Sequence, residues 1–208
     1  MSFFSVQWKE FRSFWHSSGF SGELKRSAAA FLLLSLAGFG ICMALPELLN
    51  RIISLIQEYI SGLNLTDAAG NLSAMALFSN NVQACAFAML FGLVPFVYLT
   101  ALPLGVNSML LGVAAAYYVT SGLPLVGYFA ALLPHGIFEL PALVLSFAMG
   151  LFCCSQVTRR CRKDETALRV TDCLFQMSRV FVLLIVPLLL VAALMESYVT
   201  PLIASYFN

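Results

Sequence analysis

The sequence predicts an all-α integral membrane protein of about five transmembrane helices. Its composition, the lengths of its apolar runs and the partition of its basic residues lead to that class. Of 208 residues, 61% are hydrophobic and only 10% are charged, and mean hydropathy is +0.90. A water-soluble domain carries roughly a quarter charged residues, so this chain cannot cover a wetted surface.

A helical span needs about 20 mostly apolar residues. Residues 28–49 supply the first, ending at Pro46 and Glu47. Residues 76–102 supply the second, with Asn80 and Asn81 near its start, and residues 104–120 a shorter third. Residues 123–157 are apolar throughout but too long for one upright helix. Pro134 and Pro141 each remove a backbone donor and disturb the carbonyl four residues earlier. This predicts a helix broken or kinked near Pro134, with a re-entrant half as one form of the break. Residues 180–199 make the last span.

Orientation follows from the Lys and Arg residues. Lys9, Arg12, Lys25 and Arg26 precede the first span, and Arg159, Arg160, Arg162, Lys163, Arg169 and Arg179 lie between the fourth and fifth. Arg51 alone falls between the first and second. With five spans, ten of the eleven basic residues share one side; an even number of spans spoils that partition. The expected layout is a cytoplasmic amphipathic segment (1–27) and a five-helix membrane domain (28–203). The domain has an extracytoplasmic loop at 50–75 and a basic cytoplasmic loop at 156–179. The N-terminus is then cytoplasmic and the C-terminus extracytoplasmic. The start of the chain is aromatic and charged, which does not fit a cleavable signal.

Two segments outside the spans read as amphipathic helices. Phe4, Trp8, Phe11 and Trp15 recur at helical spacing with Lys9, Glu10 and Arg12 elsewhere on the wheel, the pattern of a helix lying in the headgroup layer. Beyond the first span, Leu49, Ile52, Ile53, Ile56, Tyr59, Ile60 and Leu63 form an apolar stripe opposite Asn50, Arg51, Ser54, Gln57, Glu58 and Ser61. Such a helix either lies on the membrane or packs on another extracytoplasmic chain. On span three, Gly105, Gly112 and Ala116 form a small-residue face suited to close helix approach or to homodimer formation.

Much is excluded. The net charge of +1 and the lack of GxxxxGK[ST], GxGxxG or long like-charge runs give no sign of nucleotide or nucleic-acid binding. The six cysteines lack CxxC spacing, so they predict neither a disulfide framework nor a cysteine zinc site. There is no H-E-x-x-H, nor a serine- or cysteine-centred nucleophile with a base. A non-enzymatic protein is expected.

The unusual feature is His135 and Glu139 inside lipid-compatible sequence, where ionisable groups are costly and normally face a bundle interior or a watery cavity. Four residues apart, they share a helix face. Pro134 just before His135 suits the first turn of a new helix. Asn81 and Asn107 complete an expected intramembrane polar cluster, with Asn80 and Glu196 as further members. Three readings stand: Glu139 accepts hydrogen bonds from His135 and the asparagines and fixes the packing; the cluster binds or relays a proton or ion; or His135 and Glu139 are two ligands of a metal.

At these residues the chain resembles the stage II sporulation protein M family of multi-pass membrane proteins. The likeness rests on Pro134-His135-Gly136-Ile137-Phe138-Glu139-Leu140-Pro141-Ala142, the Asn80-Asn81 pair, Asn107 ahead of Gly112, and the closing Glu196-Ser197-Tyr198-Val199-Thr200-Pro201. It covers roughly residues 75–201; the aromatic N-terminal helix departs from it. The resemblance implies a scaffold in a bacterial cell membrane that recruits extracytoplasmic peptidoglycan hydrolases for septal thinning and engulfment during sporulation. The alternative is a small transporter or ion-coupled membrane protein using Asn107, His135 and Glu139.

Overall fold

Among the described residues, five helices long and apolar enough to cross a membrane make up the body of the protein. The computed structural model describes residues 3–17, 19–62 and 73–204. Residues 63–72 of the loop expected at 50–75, Leu63 among them, and the side chains of Phe4 and Ile60 lie outside the described residues.

Helix α1 (Phe3–Ser17) precedes the first span, α2 (Phe20–Ala44). Phe11 and Phe14 of α1 are buried, and Phe14 packs edge-on against Phe152 with ring centroids 5.6 Å apart. Arg179 donates to Gln7 Oε1 at 2.7 Å and ties the same helix to the foot of the last span. α1 is therefore seated on the bundle, with Trp8 left 41% exposed on its outer side.

Helix α3 (Pro46–Gly62) follows α2 after a single non-helical residue, Leu45. The apolar stripe turns inward: Leu49 is only 2% exposed and, with Ile52, Ile53 and Ile56, covers Cys42, Val113 and Ala116. The expected surface helix is thus docked on its own chain, at the opposite end from α1. Leu55 and Tyr59 remain 58% and 66% exposed.

The second span is α4 (Ala74–Leu90) with a tight turn at Phe91–Leu93, and the third is α5 (Ala101–Thr120). Ser73 caps α4 by accepting from the Ala76 N–H at 3.3 Å. Between them Phe96 and Tyr98 take positive φ values of 68° and 50°. This connection is pinned to the fourth span: Phe96 N–H donates to Thr158 Oγ1 at 2.8 Å and the Cys154 thiol donates to the Val94 carbonyl at 3.2 Å.

The fourth span, α6 (Leu125–Cys161), is one continuous helix of 37 residues with Pro134 and Pro141 inside it. It is not broken at Pro134, and the re-entrant half-helix is corrected accordingly. Each proline deprives one carbonyl of its donor, but helical backbone continues on both sides. The excess length is spent at the basic end, where α6 runs on past Phe152 beside α1. The basic loop proper is therefore shorter than 156–179: α6 ends at Cys161 and α7 (Val170–Val180) begins at Val170, leaving residues 162–169 between them. Asp164 folds that turn by accepting from Thr166 Oγ1, the Thr166 N–H and Arg159 Nε. Those donors hold its carboxyl well below the usual carboxylate range, at about 2.

The last span continues from α7 through a π-helical turn (Phe181–Ile185), α8 (Val186–Leu194), a second π turn (Met195–Val199) and α9 (Thr200–Ala204). Each π turn ends two residues before a proline, Pro187 and Pro201. A proline has no N–H for the carbonyl four residues back, here Leu183 and Ser197. Both of those carbonyls lie in the widened turns, where bonding shifts to five-residue spacing.

Small residues set the closest approaches. A Cβ on Gly112 would fall on the Ser35 carbonyl, and one on Gly38 would sit 2.9 Å from the Met109 carbonyl. Gly92, in the turn after α4, and Gly150 of α6 make a similar contact. The stripe of α5 facing α2 is Ser108, Gly112 and Ala116, all buried. Gly105, expected on that face, points into open space.

Candidate functional site in the membrane interior

Helix α6 positions two of the ionisable side chains and the last span a third. One potential ligand atom from each of His135, Glu139 and Glu196 lies within 4.8 Å of the others. Two aromatic contacts bracket them along α6. Tyr128 packs on Tyr118 at one end of α6, and Phe152 meets Phe14 near the other. At about 1.5 Å per residue, Glu139 stands about 16 Å from Tyr128 and about 20 Å from Phe152 along the helix. Glu139 therefore lies within the apolar run of α6, away from both aromatic contacts.

Glu196 reaches the cluster from the second π turn. His135 Nδ1 lies 3.4 Å from Thr200 Oγ1, just beyond that turn, and Thr200 Oγ1 donates to the Met195 carbonyl at 3.2 Å. With its proton given to Met195, the Thr200 oxygen is the acceptor for His135. A ring proton on Nδ1 satisfies this pair and leaves the lone pair on Nε2.

Among the described residues, neither Glu139 nor Glu196 has a hydrogen-bond donor or a Lys or Arg partner. Every Lys and Arg falls near one end of the bundle or the other. Two ionised carboxylates at this separation repel by at least about 3 kcal/mol at an effective dielectric of about 20. The arrangement therefore calls for positive charge, either protons or a cation.

The expected asparagines are placed differently. Asn107 Nδ2 donates to the Pro103 carbonyl of its own helix at 2.8 Å. Asn80 is exposed and Asn81 half-buried. Asn81 lies one turn before the fully buried Cys85. None of the three hydrogen-bonds to His135 or Glu139 among the described residues. Sequence reasoning left Thr200 out; its place four residues after Glu196, on the same face, was the available signal.

Comparison with known proteins gives a family match. The family model described as Stage II sporulation protein M matches residues 27–201, a stretch that holds every member of the cluster. An uncharacterized protein of Methanocaldococcus jannaschii is 33% identical over 135 residues, covering 63% of this chain and 72% of the relative. No solved structure matches the chain.

Proposed function

This chain belongs to the stage II sporulation protein M family, and from that premise we propose that it is a non-enzymatic membrane scaffold holding peptidoglycan hydrolases on the extracytoplasmic side during septal thinning and engulfment. The orientation belongs to the same proposal. The end that carries ten of the eleven basic residues is cytoplasmic by the positive-inside rule, which puts the opposite end and its helix α3 outside.

Helix α3 is the observation that supports this reading. It spends one face on α2 and α5, which fixes it to the bundle, and leaves Leu55 and Tyr59 presented outward. A helix anchored on one side, with Leu55 and Tyr59 set among polar residues on the other, suits docking by an amphipathic partner surface. The absence of a recognisable nucleophile and base motif in the sequence suits a recruiter more than a cutter.

Changing Leu55 and Tyr59 together to Ser tests the contact without touching Leu49, Ile52, Ile53 or Ile56. Burying a large apolar side chain is worth about 1.5–3 kcal/mol, so the double variant should reduce co-purification of the hydrolases by tenfold or more. Its thermal unfolding should match that of the unaltered protein. Undiminished co-purification rejects α3 as the docking surface.

The ion-coupled alternative is favoured by a separate observation, the lack of a donor or a Lys or Arg partner for Glu139 and Glu196. Glu139→Gln keeps the shape and removes the charge, so a scaffold tolerates it whereas a proton or ion relay stops.

A further inference from the structure

We propose that His135, Glu139 and Glu196 together bind one divalent metal ion of the Zn²⁺ or Mn²⁺ class between the fourth and fifth spans. This goes beyond the scaffold reading and does not depend on it. The ligand set is one imidazole and two carboxylates. Imidazole suits transition metals and carboxylates extend the choice toward manganese, while Mg²⁺ and Ca²⁺ prefer oxygen alone.

The charge count points the same way. Two glutamates carry two negative charges, and a divalent ion brings the site to neutrality, as a low-dielectric interior demands. A monovalent ion leaves one charge over. Geometry agrees. Metal–ligand bonds of about 2.1 Å put tetrahedral ligand atoms about 3.4 Å apart. Potential ligand atoms of the three residues lie within 4.8 Å of one another, so closing the site draws them together by little more than about 1 Å, within the reach of side-chain rotation.

A metal-binding histidine normally gives its other N–H to an oxygen that fixes the ring. Thr200 does this for His135, and it is held in turn by the Met195 carbonyl. The second π turn thus carries both a ligand, Glu196, and the oxygen acceptor for the other helix's ligand, His135. Thr200 is a positioning residue for the site.

The test uses untagged full-length protein in lipid nanodiscs, stripped with chelator, equilibrated with Zn²⁺ or Mn²⁺ alone and desalted. Elemental analysis should find one ion per chain, and adding the metal should raise the unfolding midpoint. Glu139→Gln and Glu196→Gln should each lose the ion and the shift. Thr200→Val should keep the fold and weaken affinity by about tenfold. Should the glutamine variants fail to fold, the stoichiometry of the unaltered protein and the Thr200→Val affinity decide. A chain that retains no stoichiometric metal, or glutamine variants that retain as much as the unaltered protein, overturns the proposal.

Discussion

Gly112 and Gly105 lie seven residues apart on α5, and sequence spacing puts them on one face, yet they have opposite roles. A methyl group at Gly112 would strike the Ser35 carbonyl, whereas at Gly105 it would meet nothing within 4 Å. Gly112→Ala should therefore destabilise the bundle by about 1–3 kcal/mol, as overpacking does. Gly105→Ala should be neutral or stabilise by up to about 1 kcal/mol through helix propensity. Denaturant unfolding in detergent micelles distinguishes the two, and equal effects would contradict the α2–α5 contact. The polar residues teach a similar lesson. His135 and Glu139 were legible because four-residue spacing on one helix is a local property. Glu196 stood only as a further member, because the packing of two segments distant in sequence brings it to Glu139. Asn107 found a nearer acceptor in the Pro103 carbonyl one turn back, a competition that helix-face counting does not weigh.

At the level of elements, α1 shows how far periodicity reaches. The stripe Phe4, Trp8, Phe11 and Trp15 identifies an apolar side but not which of its rings meets protein. Phe14 lies beside the stripe, and the structure buries it against Phe20 and Phe152 while Trp8 stays 41% exposed. Phe14→Ala should cost about 3 kcal/mol, the usual range for removing a buried aromatic ring. Trp8→Ala should cost well under half as much. Protease protection of the first 17 residues would report both, and equal protection in the two variants would mean that α1 is not docked as described. Proline was over-read for a related reason. In sequence Pro134 looks like a helix start, but neighbouring helices supply enough packing for α6 to continue through it. The prolines of the last span act instead by widening the turns ahead of them. The five apolar runs themselves were fully legible, because the bilayer leaves helices little alternative.

For the whole molecule, the ten basic residues at one end make orientation testable with a native side chain. Cys161 is exposed and the other five cysteines are buried. A membrane-impermeant maleimide should label Cys161 in inverted membrane vesicles and leave it unmodified in intact cells. Labelling in intact cells would reverse the proposed orientation and remove the hydrolase reading with it. The centre of the assembly has a further consequence. In α6 61% of the most apolar stretch is buried inside the protein, against 22–28% for each of the other four spans. The hub is thus the fourth hydrophobic segment to leave the ribosome. α2 and α5 can pair before it arrives, through Gly38 and Gly112. α4 meets its small-residue partner Gly150 only once that segment has been made, and must wait in lipid with Gly92 uncovered. Biosynthesis of this bundle therefore proceeds from one early helix pair to a late central strut, and a nascent chain halted before residue 150 holds the periphery without its middle.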